Sequence, residues 1–323
     1  MAYELDLKDR KILFELDRNS RKSYSEIAKK VGLSKQVVKF RIERMLERGI
    51  IEEFITTWNI GALGYTDYAI LFKFKGATKE DENQIINYFK ESNNVSWVVS
   101  TEGHWDLLIN TRWKTIADYF DFLQQFTYKF GEKIKARTFY FRTRLSYFNR
   151  KYLIEEKIPK ESSRNIFVPA EKAELDKIDI EIGLKLSKNS RATLQELAKE
   201  AGITPEAVSY RIKRLEKIGL IHHWIRLNLE KIGLYYFKAI FSLRNITAKR
   251  LQDFVGYGEN HPNVIYLIQE IGLADVHFDF EVKGREELRK IMDELREKFS
   301  DIIDSCEILT ITKEHKLNYS LIT

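Results

Sequence analysis

The chain has 323 residues, 54 Lys+Arg against 48 Asp+Glu for a formal net charge of +6, and 44% hydrophobic and 32% charged residues. That composition excludes wholesale disorder and collagen-like repeats, and a single Cys (Cys306) excludes a disulfide framework and a cysteine-based zinc site. The longest apolar stretches, such as Tyr68-Ala69-Ile70-Leu71-Phe72, fall far short of the roughly 20 residues of a membrane span, and the start has no apolar signal region, so a cytoplasmic protein without membrane partners is expected.

Leu7–Arg18 reads as a first helix, with Asp6 as its N-cap. Ser23-Tyr24-Ser25-Glu26 is a capping box that opens a second helix, and Gly32 ends it. A third helix begins at Ser34, lines one face with Val38, Ile42 and Met45, and stops at Gly49. A β-type run, Ile50–Trp58, follows as the expected wing of a winged helix-turn-helix. Beyond Gly64 the period changes to strand (67–75), helix (79–92), strand (94–101), strand (107–112), helix (114–130) and strand (134–141), a βαββαβ, ferredoxin-like unit.

The whole pattern then repeats. Residues 5–51 recur at a shift of 170 with 18 identities in 47 positions, among them Asn19-Ser20-Arg21 as Asn189-Ser190-Arg191. After a one-residue gap the shift is 169, pairing Asn59 with Asn228 and Gly103 with Gly272. The expected fold class is therefore α+β, two copies of a winged helix-turn-helix followed by a ferredoxin-like domain. Residues 1–60 and 173–229 are assigned to the winged helices, and 61–153 and 230–323 to the ferredoxin-like units. Residues 154–172, with Pro159, Pro169 and several charges, are assigned to a linker.

On the third helix of copy one, Ser34, Lys35, Gln36, Lys39, Arg41 and Arg44 form a candidate DNA surface. Gln and Lys would read base edges, and Arg41 and Arg44 would meet phosphates. The equivalents in copy two are Thr204, Glu206, Ser209, Tyr210, Arg211, Lys213 and Arg214, where Glu206 would repel phosphate. A solvated charged face is the bland alternative for both, and for copy two a surface that binds protein, such as the basal transcription machinery.

Leu5-Asp6-x-x-Asp9-x-x-Ile12-Leu13, Asn19-Ser20-Arg21, Glu26-Ile27-Ala28, Val31-Gly32-Leu33-Ser34, Val38-x-x-Arg41-Ile42 and Gly49-Ile50-Ile51, most of it repeated in copy two, resemble the Lrp/AsnC family of transcription regulators. The resemblance implies double-stranded DNA as partner and an amino-acid-like effector. It places ligand contacts at Gly103, Trp105 and Asp106 and, without the aromatic, at Gly272 and Asp275. A tight hairpin with Asp capping backbone is the structural alternative. Family members usually carry one such unit per chain, so either a pseudo-dimer within the chain or a homo-oligomer is expected. A symmetric dimer would set its recognition helices about 34 Å apart on one DNA face.

No cofactor, metal or catalytic constellation is expected. Adjacent strand residues point to opposite faces, so His222 and His223 cannot easily chelate together. Sirohaem decarboxylases are similar in architecture and also occur as fused pairs. For their tetrapyrrole chemistry the hairpin here offers His104 alone.

Overall fold

The computed structural model describes residues 3–154, 163–168 and 173–318. Copy one begins with α1 (Leu7–Arg18), α2 (Tyr24–Val31), α3 (Lys35–Glu47) and β1 (Ile51–Trp58). Its second unit is β2 (Thr66–Phe74), α4 (Lys79–Glu91), β3 (Val95–Glu102), β4 (Leu107–Trp113), α5 (Ile116–Phe130) and β5 (Ile134–Phe148). A short strand, β6 (Ser163–Phe167), lies between the copies. Copy two runs α6 (Lys177–Lys188), α7 (Leu194–Ala201), α8 (Pro205–Lys217), β7 (Ile221–Leu227), β8 (Tyr235–Leu243), α9 (Ala248–Asn260), β9 (Val264–Ile271), β10 (Val276–Val282), α10 (Arg285–Phe299) and β11 (Ile303–Leu317).

The local signals act as anticipated. The Asp6 and Ser23 side chains accept from the Asp9 and Glu26 amides, Glu26 returns a bond to the Ser23 amide, and Gly32 closes α2 at φ 65°. Copy two repeats this with Asp176, Thr193, Glu196 and Gly202.

The large sheet has the order β2-β4-β3-β11-β8-β10-β9-β5-β6, and β2 also pairs with β5, so eight strands close a ring shared by both copies. Closure depends on two long strands. The first half of β5 pairs with β2 and its second half crosses to β9, while β11 pairs with β8 and then crosses to β3. β5 runs past its predicted end at residue 141, and β11 matches it in length. The segment after Phe141 contains Arg142, which reads as surface but is buried against Asp67 (3.0 Å) and Asn110 (2.6 Å). Outside the ring, α4 and α5 cover one apolar cluster and α9 and α10 another; inside it, Leu71, Trp97, Leu108, Tyr140 and Leu309 pack together.

Both expected wing strands form, but neither pairs within its own copy. β1 and β7 instead pair with each other, antiparallel, with Ile51 opposite Leu227 and Trp58 opposite Ile221. Each then completes the other copy's helical core: Ile55 and Trp58 pack with Ile182, Leu186 and Ile212, and Ile225 and Leu227 pack with Ile12, Leu16 and Ile42. The linker assignment also changes in part. Ile166 and Phe167 are 2% exposed, and their burial against Leu145 and Tyr147 makes residues 163–167 a strand on β5. Pro159 and Pro169 lie outside the described residues.

Candidate nucleic-acid interface

The two winged helices face each other through the repeated Asn-Ser-Arg segment. The Ser20 and Ser190 hydroxyls meet at 2.6 Å. Arg21 donates to the Ser190 and Ala192 carbonyls, and Arg191 reciprocates on the Ser20 and Lys22 carbonyls. A contact in which i touches j and j touches i is the mark of a two-fold interface, here formed inside one chain.

Each third helix is packed inward by its predicted stripe, Val38, Ile42 and Met45 in α3 and Val208, Ile212 and Leu215 in α8. Lys35, Gln36 and Lys39 are exposed on α3; Glu206, Lys213 and Arg214 are exposed on α8, with Ser209 half-buried. Ser34 and Thr204 are exposed but cap their helices, accepting from the Val37 and Ala207 amides at 3.3 and 3.2 Å. Phe40 is 63% exposed, and its equivalent Tyr210 is 70% exposed. Phe40 is not among the residues expected at the surface, because a lone aromatic reads as core. The signal that finds it is its position two residues from Val38 and Ile42, off the buried stripe.

The arginines flanking the stripe have a different placement from the one expected. Arg41 binds Asp6 and Asp9, both at 2.7 Å, and Arg44 binds Asp9 at 3.0 Å. Arg211 binds Asp176 and Asp179 at 2.7 and 2.8 Å, and Arg214 binds Asp179. The repeated Asp-x-x-Asp is thus a carboxylate clamp from the first helix onto the third. Burial opposes ionisation of Asp6, but the Arg41 and Asp9 amide hydrogen bonds outweigh it and hold its carboxyl below the ordinary 3.8. These arginines tie each third helix to the first helix of its own copy.

The Gly103 and Gly272 hairpins are brought against the partner copy's last strand. With φ of 134° and 135°, a Cβ on either would stand 3.1 Å from the Ile308 carbonyl or 3.0 Å from the Phe139 carbonyl. Asp106 accepts from the Phe74 amide and from Lys73, both at 2.7 Å, and Asp275 accepts from the Leu243 amide at 2.7 Å. Trp105 is buried. Asp106 and Asp275, expected among the ligand contacts, thus anchor their own hairpins. Among the described residues no group of three His, Cys, Asp or Glu could hold a metal, and no helix is long and apolar enough to cross a membrane.

Two helix-turn-helix units with solvent-facing third helices, joined across a pseudo-two-fold on an α+β core, define a winged helix-turn-helix DNA-binding protein. The family model described as winged helix-turn-helix DNA-binding matches residues 5–52 and again 175–222. An uncharacterised HTH-type transcriptional regulator of Pyrococcus abyssi is 34% identical over 113 residues, 35% of this chain and 75% of the relative. The HTH-type transcriptional regulator Ptr1 of Methanocaldococcus jannaschii is 34% identical over 124 residues, 38% of this chain and 82% of Ptr1. Over the full length, the sirohaem decarboxylase NirDL has a similar structure, with TM-score 0.63, covering 96% of this chain and 93% of that one; at 14% identity the likeness is one of fold. The chain belongs to the family of HTH-type transcriptional regulators and is a tandem-duplicated, DNA-binding member of it.

Proposed function

We propose that one chain acts as a complete pseudo-dimer that places α3 and α8 on two unlike half-sites of one duplex. The reciprocal Ser20/Ser190 and Arg21/Arg191 contact carries this reading, because it supplies within the chain the two-fold element that a symmetric regulator obtains by dimerising. On α3, Lys35, Gln36 and Lys39 offer contacts to guanine or adenine edges, and Phe40 offers an apolar surface to a thymine methyl. On α8, Glu206 can accept from a cytosine amino group, with Ser209, Tyr210 and Lys213 alongside, so the half-sites differ in base preference. An effector is left out of the proposal, since both hairpin carboxylates are already engaged.

Selection from random duplexes, followed by a salt titration on the enriched sequence, tests this. The Lys39→Ala/Phe40→Ala and Ser209→Ala/Tyr210→Ala variants are each expected to bind that duplex about 10-fold or more weakly, the range of a lost base contact. Loss in the first variant alone would confine reading to copy one and leave α8 for another partner. No binding at low salt to any duplex would end the proposal.

A further inference from the structure

We propose that the outer side of α5 is the docking surface for a second chain of this protein, packed on it antiparallel about a two-fold axis. The two ferredoxin-like units differ there. Ile116, Phe120 and Tyr128 on α5, Phe139 on β5 and Ile271 on β9 are between 49% and 78% exposed. At the shift of 169 their counterparts are Arg285, Arg289, Glu297, Ile308 and Glu102, all but one of them charged. Yet the two outer helices bury equivalent stripes, Phe122, Phe126 and Phe130 in α5 and Ile291, Leu295 and Phe299 in α10. One unit therefore shows solvent an apolar, aromatic face where the other shows charges.

The five residues form one surface. Ile116, Phe120 and Thr127 are spaced by four and seven residues and share a side of the helix. Arg137 donates to the Thr127 hydroxyl at 2.6 Å, which lays that side along β5. Phe139 and Phe141 follow Arg137 on the same face of β5, their rings 5.9 Å apart, and Ile271 stands opposite Phe141. Tyr128 continues the patch over the crest of the helix, at the spacing of an apolar stripe from Phe120. Contiguous exposed apolar surface of this kind marks an interaction site, unlike apolar residues scattered singly.

Charge identifies the occupant. On the flank of α5 that faces α4, where Lys129 stands 5.6 Å from the Tyr88 ring, Asp118 and Asp121 lie in the N-terminal half and Lys129 in the last turn. A two-fold axis through Gln124 sets residues equally far on either side of it opposite each other. Phe120 then faces the second chain's Tyr128, and Lys129 falls between the second chain's Asp118 and Asp121. Lys114 and Glu132, exposed just outside the two ends of α5, repeat the pattern with the signs reversed. Each contact is made twice, as an isologous interface requires, whereas a parallel pairing would set acids on acids. The charged face of α10 offers no such patch, so association closes at two chains, each bringing its own pair of winged helices.

The test follows the intact chain by sedimentation velocity across a concentration series, where a species of twice the chain's mass is expected to grow in. Phe120→Arg and Ile271→Glu install what the other unit carries at the same places, Arg289 and Glu102, and should each weaken association by about 10-fold or more. Asp121→Lys and Lys129→Glu should each weaken it by about 3-fold or more, because each change acts at both symmetric contacts. Mixed together, these last two chains should pair with each other more tightly than either pairs with itself, since one of the two contacts is then of the parental kind. Thermal melts of all four should match the parent, as expected for exposed positions. A chain that stays single at every concentration would leave this face to a different protein and overturn the proposal. So would association indifferent to Phe120→Arg, or a mixture no tighter than its components.

Discussion

Gly183 occupies the place that Leu13 holds in copy one, and Trp58 the place that Leu227 holds in copy two. A Cβ on Gly183 would stand 1.7 Å from Trp58 Cζ2, so the two copies have exchanged a leucine pair for a tryptophan over a glycine. Gly183→Ala is therefore expected to cost about 2–3 kcal/mol by overpacking. Gly183→Leu combined with Trp58→Leu restores the copy-one pairing and should recover most of it. Urea midpoints measure both, and a neutral Gly183→Ala would refute the packing account. The arginine clamps lead to a second expectation. A phosphate ligand, when removed, lowers the salt slope of DNA binding by about one. Arg41→Gln and Arg211→Gln should instead leave the slope unchanged and lower stability by about 1–3 kcal/mol, since Asp9 and Asp179 are buried carboxylates that each lose a hydrogen-bonded partner. A slope reduced in proportion to the substitutions would return these residues to the DNA surface.

Helices, caps and the first three strands of each ferredoxin-like unit are legible because their signals are local: Ser23 and Glu26 three residues apart, Gly32 at a left-handed end, an unbroken apolar run along β2. Partner choice was not legible. The apolar residues of Ile51–Trp58 mark a strand, yet nothing in them says that Trp58 buries itself against α6 of the other copy. Nor do motifs reveal that Arg41 is already paired, because a basic helix face looks alike whether its charges meet phosphate or Asp9. The exchanged β1–β7 seam also carries a pH dependence. Burial, aided by Arg164 and His223, brings His222 down to about 4, and burial lowers His223, whose Nδ1 lies 2.8 Å from the Thr56 hydroxyl. Unfolded, both bind protons near the ordinary 6.5, while the folded seam stays neutral. Their contribution is thus complete above pH 6.5 and declines as pH falls towards 4. His261, also lowered to about 4 by burial, adds a slope of its own. A His222→Gln/His223→Gln variant should accordingly lose less stability than the parent between pH 6.5 and 4 in chemical denaturation, and an equal loss would exclude the seam as the source.

At the scale of the molecule, duplication frees the two halves of a symmetric assembly to diverge. One half has β6 over its β5 edge, while no described strand takes that place on β11; one third helix carries Lys39 and Phe40 and the other Ser209 and Tyr210. The account stands on both helices of a single chain meeting one duplex at unlike sites. The most direct measurement attaches a DNA-cleaving chelate to a single cysteine, Gln36→Cys in one protein and Ser209→Cys in another, each with Cys306→Ser, and maps the cuts on the selected duplex. The expected result is cleavage confined to one half-site from position 36 and to the other half-site from position 209. Equal cutting of both half-sites from position 36, with none from position 209, would mean that two chains bind through copy one alone and would contradict the account.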